Sequence, residues 1–248
     1  MEERHIRNRL YISPEEQELI KKTPILLGGA GIGSAIAECL LRLGFETLTI
    51  IDGDVVELSN LNRQNYTEHN IAQPKVEALK ERLLAINSQA KITIHNCFLT
   101  PENVGNYITD HKIAINALDF TSDVPLIFDS ICQQKNIPVL HPYNLGWGAL
   151  VLVISKDEGL EVLKKPDEKF SEVNVVDYVL EYMRYWENPQ KWLEEILDKY
   201  KKENKNLSPP QLPIASSLVA GMCTHIAFDI ATNTPVKTFP EFYLTSLK

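Results

Sequence analysis

A chain of 248 residues, 44% of them hydrophobic and 23% charged, has the composition of a soluble globular protein and is long enough for one large domain, or for one domain with a sizeable insertion. Its formal net charge of -8 argues against a nucleic-acid or anionic-membrane surface, so nucleic acid is an unlikely partner. We find no apolar run of about 18 residues and expect no membrane span.

The N-terminal segment and the cysteines predict a cytoplasmic, reduced protein. The first residues, MEERHIRNRLYIS, are charged and lack the apolar stretch of a secretory signal. The four cysteines, Cys39, Cys97, Cys132 and Cys223, include no Cys-x-x-Cys pair, so their spacing fits neither a zinc site nor a disulfide framework. We therefore expect no zinc, and cysteines that pack in the core.

Strand and helix patterns alternate over the first 155 residues. The predicted elements are, in chain order, a helix (13–20), a strand (24–29), a helix (35–43), a strand (46–51), an amphipathic helix from Pro74, a strand (91–95), a short helix after Pro101, a strand (112–118), a helix (124–134), a strand (137–140) and a long apolar strand (147–154). This alternation predicts an α/β fold with a Rossmann-like, doubly wound, mostly parallel sheet and helices on both faces.

The character of the sequence changes after Ser155. Residues 156–170 are charged and irregular, and two amphipathic helices follow, the second with Asn188-Pro189 as its expected cap and first-turn proline. Their predicted apolar faces are Val175, Val179, Tyr182 and Trp186 in the first helix, and Trp192, Ile196, Leu197 and Tyr200 in the second. An apolar helix over 214–231 should pack on the sheet. We divide the chain into a core (1–155), a helical insertion with a crossover loop (156–210) and a C-terminal part that completes the core (211–248).

A glycine-rich turn follows the first strand and opens a helix. It contains Gly28, Gly29, Gly31 and Gly33, and its backbone N–H groups and the positive end of the helix form a site for phosphate. Asp52 ends the second strand about 20 residues further on, where a dinucleotide fold places an acid for the ribose. Because the strict G-x-G-x-x-G frame is not met, the loop predicts a nucleotide without distinguishing NAD from ATP.

The residues after Asp52 favour nucleotidyl transfer over hydride transfer. The stretch DGDVVELSNLNRQNYTEHNIAQPK supplies Asp54, Asn60, Arg63 and Lys75, for which redox chemistry gives no reason. Attack on an α-phosphate builds negative charge on the phosphoryl oxygens, and arginine and lysine donors beside a metal-binding acid stabilise it. Lys75 follows Pro74 at the start of a helix, from where its amine can reach back to the phosphates.

These motifs together resemble one family. The order GGAGIGS, DGD, SNLNRQ, QPK and ALD is similar to the ubiquitin-activating-enzyme superfamily in its bacterial ThiF/MoeB/HesA branch, from about residue 4 to 154 and again over 214–230. The resemblance implies an ATP-binding adenylation core and an adenylyltransferase, which uses ATP and Mg²⁺ to convert a carboxylate into an acyl-adenylate with release of pyrophosphate.

The resemblance also implies roles for the motif residues around the nucleotide. Asp52 would bind the ribose hydroxyls. Asn60, Arg63 and Lys75 would hold the phosphates, with Asp54 beside them, and the glycine loop would cradle the nucleotide.

Two further residues and the partner follow from the same resemblance. Asp119 matches the magnesium-binding acid of the family. Arg7, in RHIRNR, resembles an arginine that family dimers supply to the ATP of the neighbouring subunit, which implies a homodimer. The carboxylate would be the C-terminus of a small ubiquitin-like or sulfur-carrier protein, or another carboxylate substrate.

The chain departs from the family pattern in three places. It lacks the two Cys-x-x-Cys pairs of zinc-binding members, and Asp119 is followed by Phe120 without the arginine that commonly comes several residues later. Residues 141–222 contain no cysteine, so a thioester relay is not expected, and Cys223 is expected to be structural. The segment HPYN (141–144) is predicted to be a loop that shapes the substrate site.

Two other functions stay open at this point. An NAD-dependent oxidoreductase is disfavoured by SNLNRQ and QPK, which hydride transfer does not explain. An inactive partner subunit or binding module of the same fold is disfavoured because Arg63, Lys75 and Asp119 are all present. The helical insertion fits either a self-packed hairpin or a docking surface for the protein that presents the carboxylate.

Overall fold

The computed structural model describes residues 2–156, 158–165, 169–203 and 207–248. Alternating strands and helices build one seven-stranded sheet within these ranges. Its strands are β1 (Pro24–Gly28), β2 (Thr47–Ile51), β3 (Lys91–His95), β4 (Ile113–Asn116), β5 (Val139–Asn144), β6 (Gly148–Ile154) and β7 (Tyr243–Ser246).

The sheet has the order β3-β2-β1-β4-β5-β6-β7. Strands β1 to β5 are parallel, whereas β6 and β7 are antiparallel to their neighbours. A tight hairpin closes β5 onto β6, with Leu145 N donating to Gly148 O at 3.0 Å, and so short a connection can only join antiparallel strands. The predicted doubly wound, mostly parallel sheet is therefore confirmed.

Helices cover both faces of this sheet, as predicted. They are α1 (Pro14–Lys22), α2 (Gly33–Leu43), α3 (Lys75–Ile86), α4 (Val104–Tyr107), α5 (Val124–Gln134), α6 (Glu172–Tyr185), α7 (Lys191–Lys202) and α8 (Pro213–Ala231). Successive side chains of β1 point to opposite faces: Leu27 packs in a core with α2, α3 and α8, and Leu26 packs in a core with α4, α5 and α6. Burial on both faces explains why β1 reads as a continuous apolar run.

Local sequence signals determine where the early helices begin and end. Ser13 and Glu16 form the predicted capping box: Glu16 N donates to Ser13 Oγ at 3.2 Å, and Ser13 N donates to Glu16 Oε2 at 2.7 Å. Gly44 ends α2 with φ +125°, a conformation that favours glycine.

The insertion differs in detail from the prediction. The sequence predicts Trp186 on the apolar face of α6, but this residue follows the last turn of that helix and is 63% exposed. Helix α6 instead has two apolar rows, with Val175 and Val179 in the sheet core and Val176 and Leu180 against α7. The second helix begins at Lys191 with Gln190 as its N-cap, so the expected cap at Asn188 is wrong. Of the irregular stretch 156–170, residues 157 and 166–168 lie outside the described ranges.

Helix α8 carries the C-terminal part back to the core. It is long and apolar enough to cross a membrane by length and composition, which the sequence analysis did not recognise. Here Val219, Cys223 and Ala227 are fully buried in the core that α8 forms with α2 and α3. The chain then ends in β7, which pairs with β6. The three-part division of the chain stays a prediction.

Candidate active site

The candidate site lies where β1 and β4 are neighbours and the chain winds outward in both directions. Open α/β sheets bind ligands in the crevice at such a switch point, beyond the carboxyl ends of the strands. The glycine turn follows β1 and Ala117 follows β4, so the two segments meet there. A Cβ atom on Gly29 would lie 2.4 Å from Ala117 O, and Gly29 has φ +95°. Glycine is therefore required at this position.

The other glycines of the turn are under weaker constraint. A Cβ on Gly28 would lie 3.3 Å from the Phe128 ring, and one on Gly31 would lie 3.3 Å from Gln64 Nε2. A Cβ on Gly33 would meet nothing closer than Leu27, at 3.9 Å. The backbone of the whole turn nevertheless runs into α2, whose first residue is Gly33, so its N–H groups lie at a helix N-terminus as the sequence predicts.

Asp52 ties the glycine turn to the end of β2. Its Oδ2 accepts a hydrogen bond from Ala30 N at 2.6 Å, and its Oδ1 accepts one from Asp54 N at 2.8 Å. Each oxygen keeps a second lone pair for a ligand hydroxyl. The sequence assigned only a ribose role to Asp52; the structure adds that its carboxylate organises the loop.

Lys75 is fixed beside Asp54 by two contacts. Helix α3 begins at Lys75, with Pro74 as the N-cap. Lys75 N donates to Asp54 O at 2.9 Å, and Lys75 Nζ lies 2.9 Å from Asp54 Oδ2. Only 9% of the lysine side chain is exposed, against 50% of the aspartate. Asp54 therefore holds the ammonium group in place at the edge of the crevice.

Tyr66 links this lysine to the glycine turn, a contact that the sequence analysis missed. Its Oη donates to Ala30 O at 2.7 Å and lies 3.3 Å from Lys75 O. Burial raises the pKa of Tyr66 far above its ordinary value, so the phenol stays a neutral donor. Turn, β2 end and α3 start are thus joined into one hydrogen-bonded unit.

Asn60 builds the turn that presents Arg63. Asn60 is buried, and its Oδ1 accepts from Glu57 N at 3.0 Å. Arg63 N donates to Asn60 O at 3.1 Å. The Asn60 Nδ2 group makes no hydrogen bond within the described part of the chain, so a role on phosphate stays a prediction.

Arg63 faces the carboxyl end of β4. Its guanidinium donates to Ser59 O, Asn62 Oδ1 and Gln211 Oε1. Burial lowers the pKa of Arg63 and the Asp119 carboxylate opposes that change, so the side chain stays a cation. Gln211 lies 148 positions away in the crossover segment, which is why sequence patterns gave no sign of this contact.

Asp119 stands among other carboxylates. One side is open to solvent, but the surrounding walls displace enough water to raise its pKa, and Glu172 at the start of α6, Asp54 and Asp52 add to the rise while Lys75 opposes it. The carboxylate oxygens of Asp119 and of the acids in its electrostatic range are ligands of the kind that Mg²⁺ prefers, so the chemistry of these residues fits the predicted ion. Glu172 was not predicted; its Oε1 accepts from Phe120 N at 3.2 Å.

A cavity of about 440 Å³ opens from Arg63 and Asp119 toward the insertion. Its floor is β5, where the predicted HPYN loop is in fact a continuation of the strand to Asn144. Its opposite wall is formed by α6, α7 and the crossover, with Glu172, Val176, Leu197, Tyr200 and Gln211. Asn144 Nδ2 donates to Leu212 O at 2.8 Å and so attaches the crossover to the floor. The insertion is therefore part of the site.

Arg7 is not brought to this crevice within the chain. It is exposed on a 3-10 helix, Glu3–Asn8, and Asn8 Nδ2 donates to Leu43 O at 3.0 Å. Leu43 is the last residue of α2, whose first turn carries the glycine loop; at 1.5 Å per residue the two ends are about 15 Å apart. A role for Arg7 in a neighbouring subunit stays a prediction.

The cysteines lie largely where the sequence placed them. Cys132 and Cys223 are buried, and burial raises the pKa of both thiols far above the ordinary value. Cys39 and Cys97 are half-buried, and Cys97 Sγ lies 3.3 Å from Tyr107 Oη. Cys223 is therefore a core residue.

The fold and the crevice define a Rossmann-like α/β protein with a candidate ligand site at the switch point of its sheet. Residues 3–246 match the ThiF family, and the chain belongs to that family. The resemblance carried by the sequence motifs is thus confirmed.

Known proteins agree with this assignment. The sulfur carrier protein ThiS adenylyltransferase of Bacillus subtilis (strain 168) is 34% identical over 157 residues, which cover 61% of this chain and 46% of that protein. The tRNA threonylcarbamoyladenosine dehydratase of Escherichia coli (strain K12) is 32% identical over 134 residues, covering 53% and 50%. The chain thus spans about half the length of these curated relatives.

A solved structure shows the same fold over almost the whole chain. E. coli MccB, crystallised with AMPCPP and selenomethionine MccA, aligns with a TM-score of 0.70 at 18% identity and covers 98% of this chain and 70% of that one. Because the alignment covers 98% of this chain, it includes the insertion as well as the sheet.

Proposed function

We propose that the protein is an ATP-dependent adenylyltransferase that activates a carboxylate as an acyl-adenylate. The observation that carries the proposal is the meeting of Arg63, Lys75 and Asp119 beside the glycine turn, at the mouth of a cavity that has room for an acceptor. Membership of the ThiF family and the ThiS adenylyltransferase relative support it.

The nucleotide would occupy the crevice between the ends of β1, β2 and β4. The N–H groups at the start of α2 would face its phosphates, and Asp52 would accept from the ribose hydroxyls with its remaining lone pairs. When bound to Asp119, Mg²⁺ would neutralise phosphate charge. Lys75 and Arg63 are fixed cations at this position and would stabilise the charge that develops on the α-phosphate.

The reaction needs no general base, because a carboxylate is already ionised at neutral pH. The acceptor oxygen attacks the α-phosphorus, the bond to the pyrophosphate oxygen breaks, and pyrophosphate leaves with the electron pair. The chain's own contribution is to orient the two anions and to lower their repulsion through Lys75 and Arg63.

The cavity indicates the shape of the acceptor. About 440 Å³ between β5 and the insertion accommodates a few residues or a small molecule, and it does not admit a folded protein. We therefore propose a carboxylate at the end of an extended segment, such as the C-terminus of a peptide or of a small ubiquitin-like or sulfur-carrier protein. Two of the similar proteins are compatible with such a tail: MccB was crystallised with MccA, and the ThiS adenylyltransferase is named for a sulfur carrier protein.

ATP–pyrophosphate exchange tests the proposal. The acceptor probe is a pool of synthetic peptides with randomised last two residues, and the matched control is the same pool with amidated C-termini. We expect exchange with the free carboxylates alone, and its loss in Asp119→Ala. Asp110→Ala, at the other end of β4, is the matched control variant because Asp110 is exposed and remote from the crevice.

Two results would contradict the proposal. Exchange that persists in Asp119→Ala, or that proceeds equally with the amidated pool, would exclude carboxylate activation at this site. ATP binding without exchange for any probe would favour an inactive partner subunit of the same fold, and NAD binding in place of ATP would favour the oxidoreductase.

A further inference from the structure

A buried histidine–aspartate pair lies at the floor of the same cavity. His141 Nε2 is 2.8 Å from both Oδ1 and Oδ2 of Asp129. Asp129 is fully buried, and 1% of His141 is exposed. Asn116 Nδ2 also donates to Asp129 Oδ1 at 2.8 Å, so the carboxylate is held from β4 as well as from β5.

These contacts define which nitrogen of the ring is the base. Asp129 accepts from Asn116, and it accepts from His141 if Nε2 carries the hydrogen. In the neutral ring this leaves the lone pair on Nδ1. Nδ1 has no hydrogen-bond partner within residues 2–156, 158–165, 169–203 and 207–248, and the residue lines the cavity.

Two aromatic rings lie near the imidazole and are close to parallel with it. The centroids of Phe120 and Tyr143 are 6.3 Å and 6.4 Å from that of His141, and each ring plane is inclined to it by 20°. Both aromatic residues line the cavity together with His141. Asp119, Phe120 and His141 all line this cavity, so the imidazole lies in the wall of the space where an activated acyl group would form.

Adenylation does not need the His141–Asp129 pair as a base, because its nucleophile is an ionised carboxylate. A thiolate would not need a base either, since a thiol ionises close to neutral pH. A neutral amine or amide does need one: it must lose a proton when it forms a bond to an acyl carbon. The cavity is lined by no cysteine among the described residues, so the second nucleophile comes with a substrate.

We propose that His141, oriented by Asp129, accepts the proton from a nitrogen nucleophile that attacks the acyl-adenylate. The nitrogen forms a bond to the acyl carbon, the bond from that carbon to the AMP oxygen breaks, and AMP leaves with the electron pair. The N–H proton passes to His141 Nδ1, and Asp129 stabilises the imidazolium. This inference rests on the proposed adenylyltransferase function and adds the second half-reaction to it.

Other ionisable groups face the cavity beside the pair. Tyr143 is buried, which raises its pKa well above the ordinary value, and it stays neutral. The remaining groups are Asp119 after β4, Arg63, Glu172 on α6 and Tyr200 on α7. Cys132 adjoins Asp129 on α5, and its raised pKa keeps it a thiol.

Two neutral nucleophiles test the proposal with the full-length protein, ATP and the free-carboxylate peptide pool. Both amines are weakly basic and mostly neutral at the neutral pH of the assay. Trifluoroethylamine needs a base to form the amide, whereas hydroxylamine attacks activated acyl groups without one. The readouts are peptide amide and peptide hydroxamate, each divided by the rate of ATP–pyrophosphate exchange. His141→Gln keeps a donor for Asp129, and His111→Gln is the matched control, since His111 bonds to Thr49 outside the cavity.

In His141→Gln we expect the amide ratio to fall about 100-fold and the hydroxamate ratio to change by less than about threefold. Asp129→Asn should lower the amide ratio in the same direction, and His111→Gln should match the wild type. In the wild type itself, the ratio of amide to hydroxamate should exceed the ratio that the same two nucleophiles give with a chemically activated peptide ester in buffer. This comparison needs no variant, so a misfolded variant does not remove the test.

The outcomes separate the two proposals. Equal losses of amide and hydroxamate in His141→Gln, or a wild-type amide-to-hydroxamate ratio no higher than in buffer, would show that the pair is only a structural link between β5 and α5. Absence of exchange with every peptide in the wild type would overturn the adenylyltransferase proposal and the second half-reaction together.

Discussion

Lys75 and Asp54 are joined twice, by a backbone hydrogen bond of 2.9 Å and by an ion pair of 2.9 Å between Nζ and Oδ2. The lysine side chain is almost fully enclosed, whereas half of the aspartate is open to water. Water can therefore solvate the Asp54 carboxylate, whereas the enclosed Lys75 ammonium group is held in one position by Asp54. The arrangement supports the proposal that Lys75 holds a ligand.

Lys75→Met should separate a role in ligand binding from a role in the stability of the fold. We expect the ATP–pyrophosphate exchange rate to fall about 100- to 1000-fold, as for loss of one fixed charge donor, with little change in thermal unfolding. Lys91→Met is the matched control, because Lys91 is exposed at the start of β3. Equal exchange rates in the two variants would refute the role of Lys75.

Asp52→Asn should reduce stability as well as nucleotide affinity. An amide offers one acceptor where the carboxylate offers two, so either Ala30 N or Asp54 N faces an NH₂ group. We expect the free energy of unfolding in urea to drop by about 1–3 kcal/mol. A weaker affinity for ATP with unchanged stability would instead mean that Asp52 only binds ribose. Asp198→Asn, on the exposed side of α7, serves as the control.

Gly29→Ala and Gly33→Ala should differ sharply, although both glycines belong to one motif. Gly29 combines φ +95° with a Cβ that would lie 2.4 Å from Ala117 O, whereas the Cβ of Gly33 has 3.9 Å of clearance. We expect Gly29→Ala to lose ATP binding and a few kcal/mol of stability, and Gly33→Ala to unfold at the wild-type temperature or above it. Calorimetry and ATP titration measure both effects, and indistinguishable variants would contradict the account.

Asp119→Asn should stabilise the ligand-free chain while it removes activity. The pKa of Asp119 is raised by burial and by Glu172, so the folded chain holds this proton more tightly than the unfolded chain does. At a pH above the pKa values of Asp119 in the folded and the unfolded chain, the ionised carboxylate lowers the free energy of unfolding. This loss of stability decreases as the pH falls below the raised pKa of the folded chain. The variant should therefore unfold at a higher temperature than the wild type at neutral pH, and at the same temperature at low pH.

The unfolding temperature in the presence of Mg²⁺ and ATP gives a second test of Asp119. We expect the pair to raise the unfolding temperature of the wild type and to have a smaller effect on Asp119→Asn, because the ion would be held by this carboxylate. An equal rise in both proteins would place the ion on other residues.

Mixing two inactive variants tests the predicted homodimer and Arg7. If Arg7 acts on the ATP of the neighbouring subunit, a dimer of Arg7→Ala with Lys75→Met has one intact site, and random mixing should restore about a quarter of the wild-type exchange rate. No recovery after subunit exchange, or full activity in a sedimentation-verified monomer, would show that the arginine does not act in trans.

Sequence patterns predicted the sheet because they are local. The apolar run of β1, the capping box at Ser13 and the glycine that ends α2 each act within a few residues. The insertion was harder to predict because α6 buries two rows, Val175 with Val179 and Val176 with Leu180, so a single face could not describe it.

The site was predicted only where motif residues are close in sequence. Contacts over long separations gave no pattern: Gln211 reaches Arg63 across 148 positions, and Glu172 reaches Phe120 across 52. The sequence did single out the stretch that contains His141, but it could not show that Asp129 lies 2.8 Å away, because that distance depends on how α5 packs on β5.

We expect a peptide or protein C-terminus to become linked to AMP at the crevice of Arg63, Lys75 and Asp119. Mass spectrometry of rapidly quenched mixtures of protein, Mg²⁺, ATP and the free-carboxylate peptide pool detects this product itself. Peptides that carry AMP through their C-terminal carboxylate should appear with the wild type and not with Asp119→Ala. ATP turnover with no peptide–AMP adduct, or adducts that form equally in Asp119→Ala, would contradict this expectation.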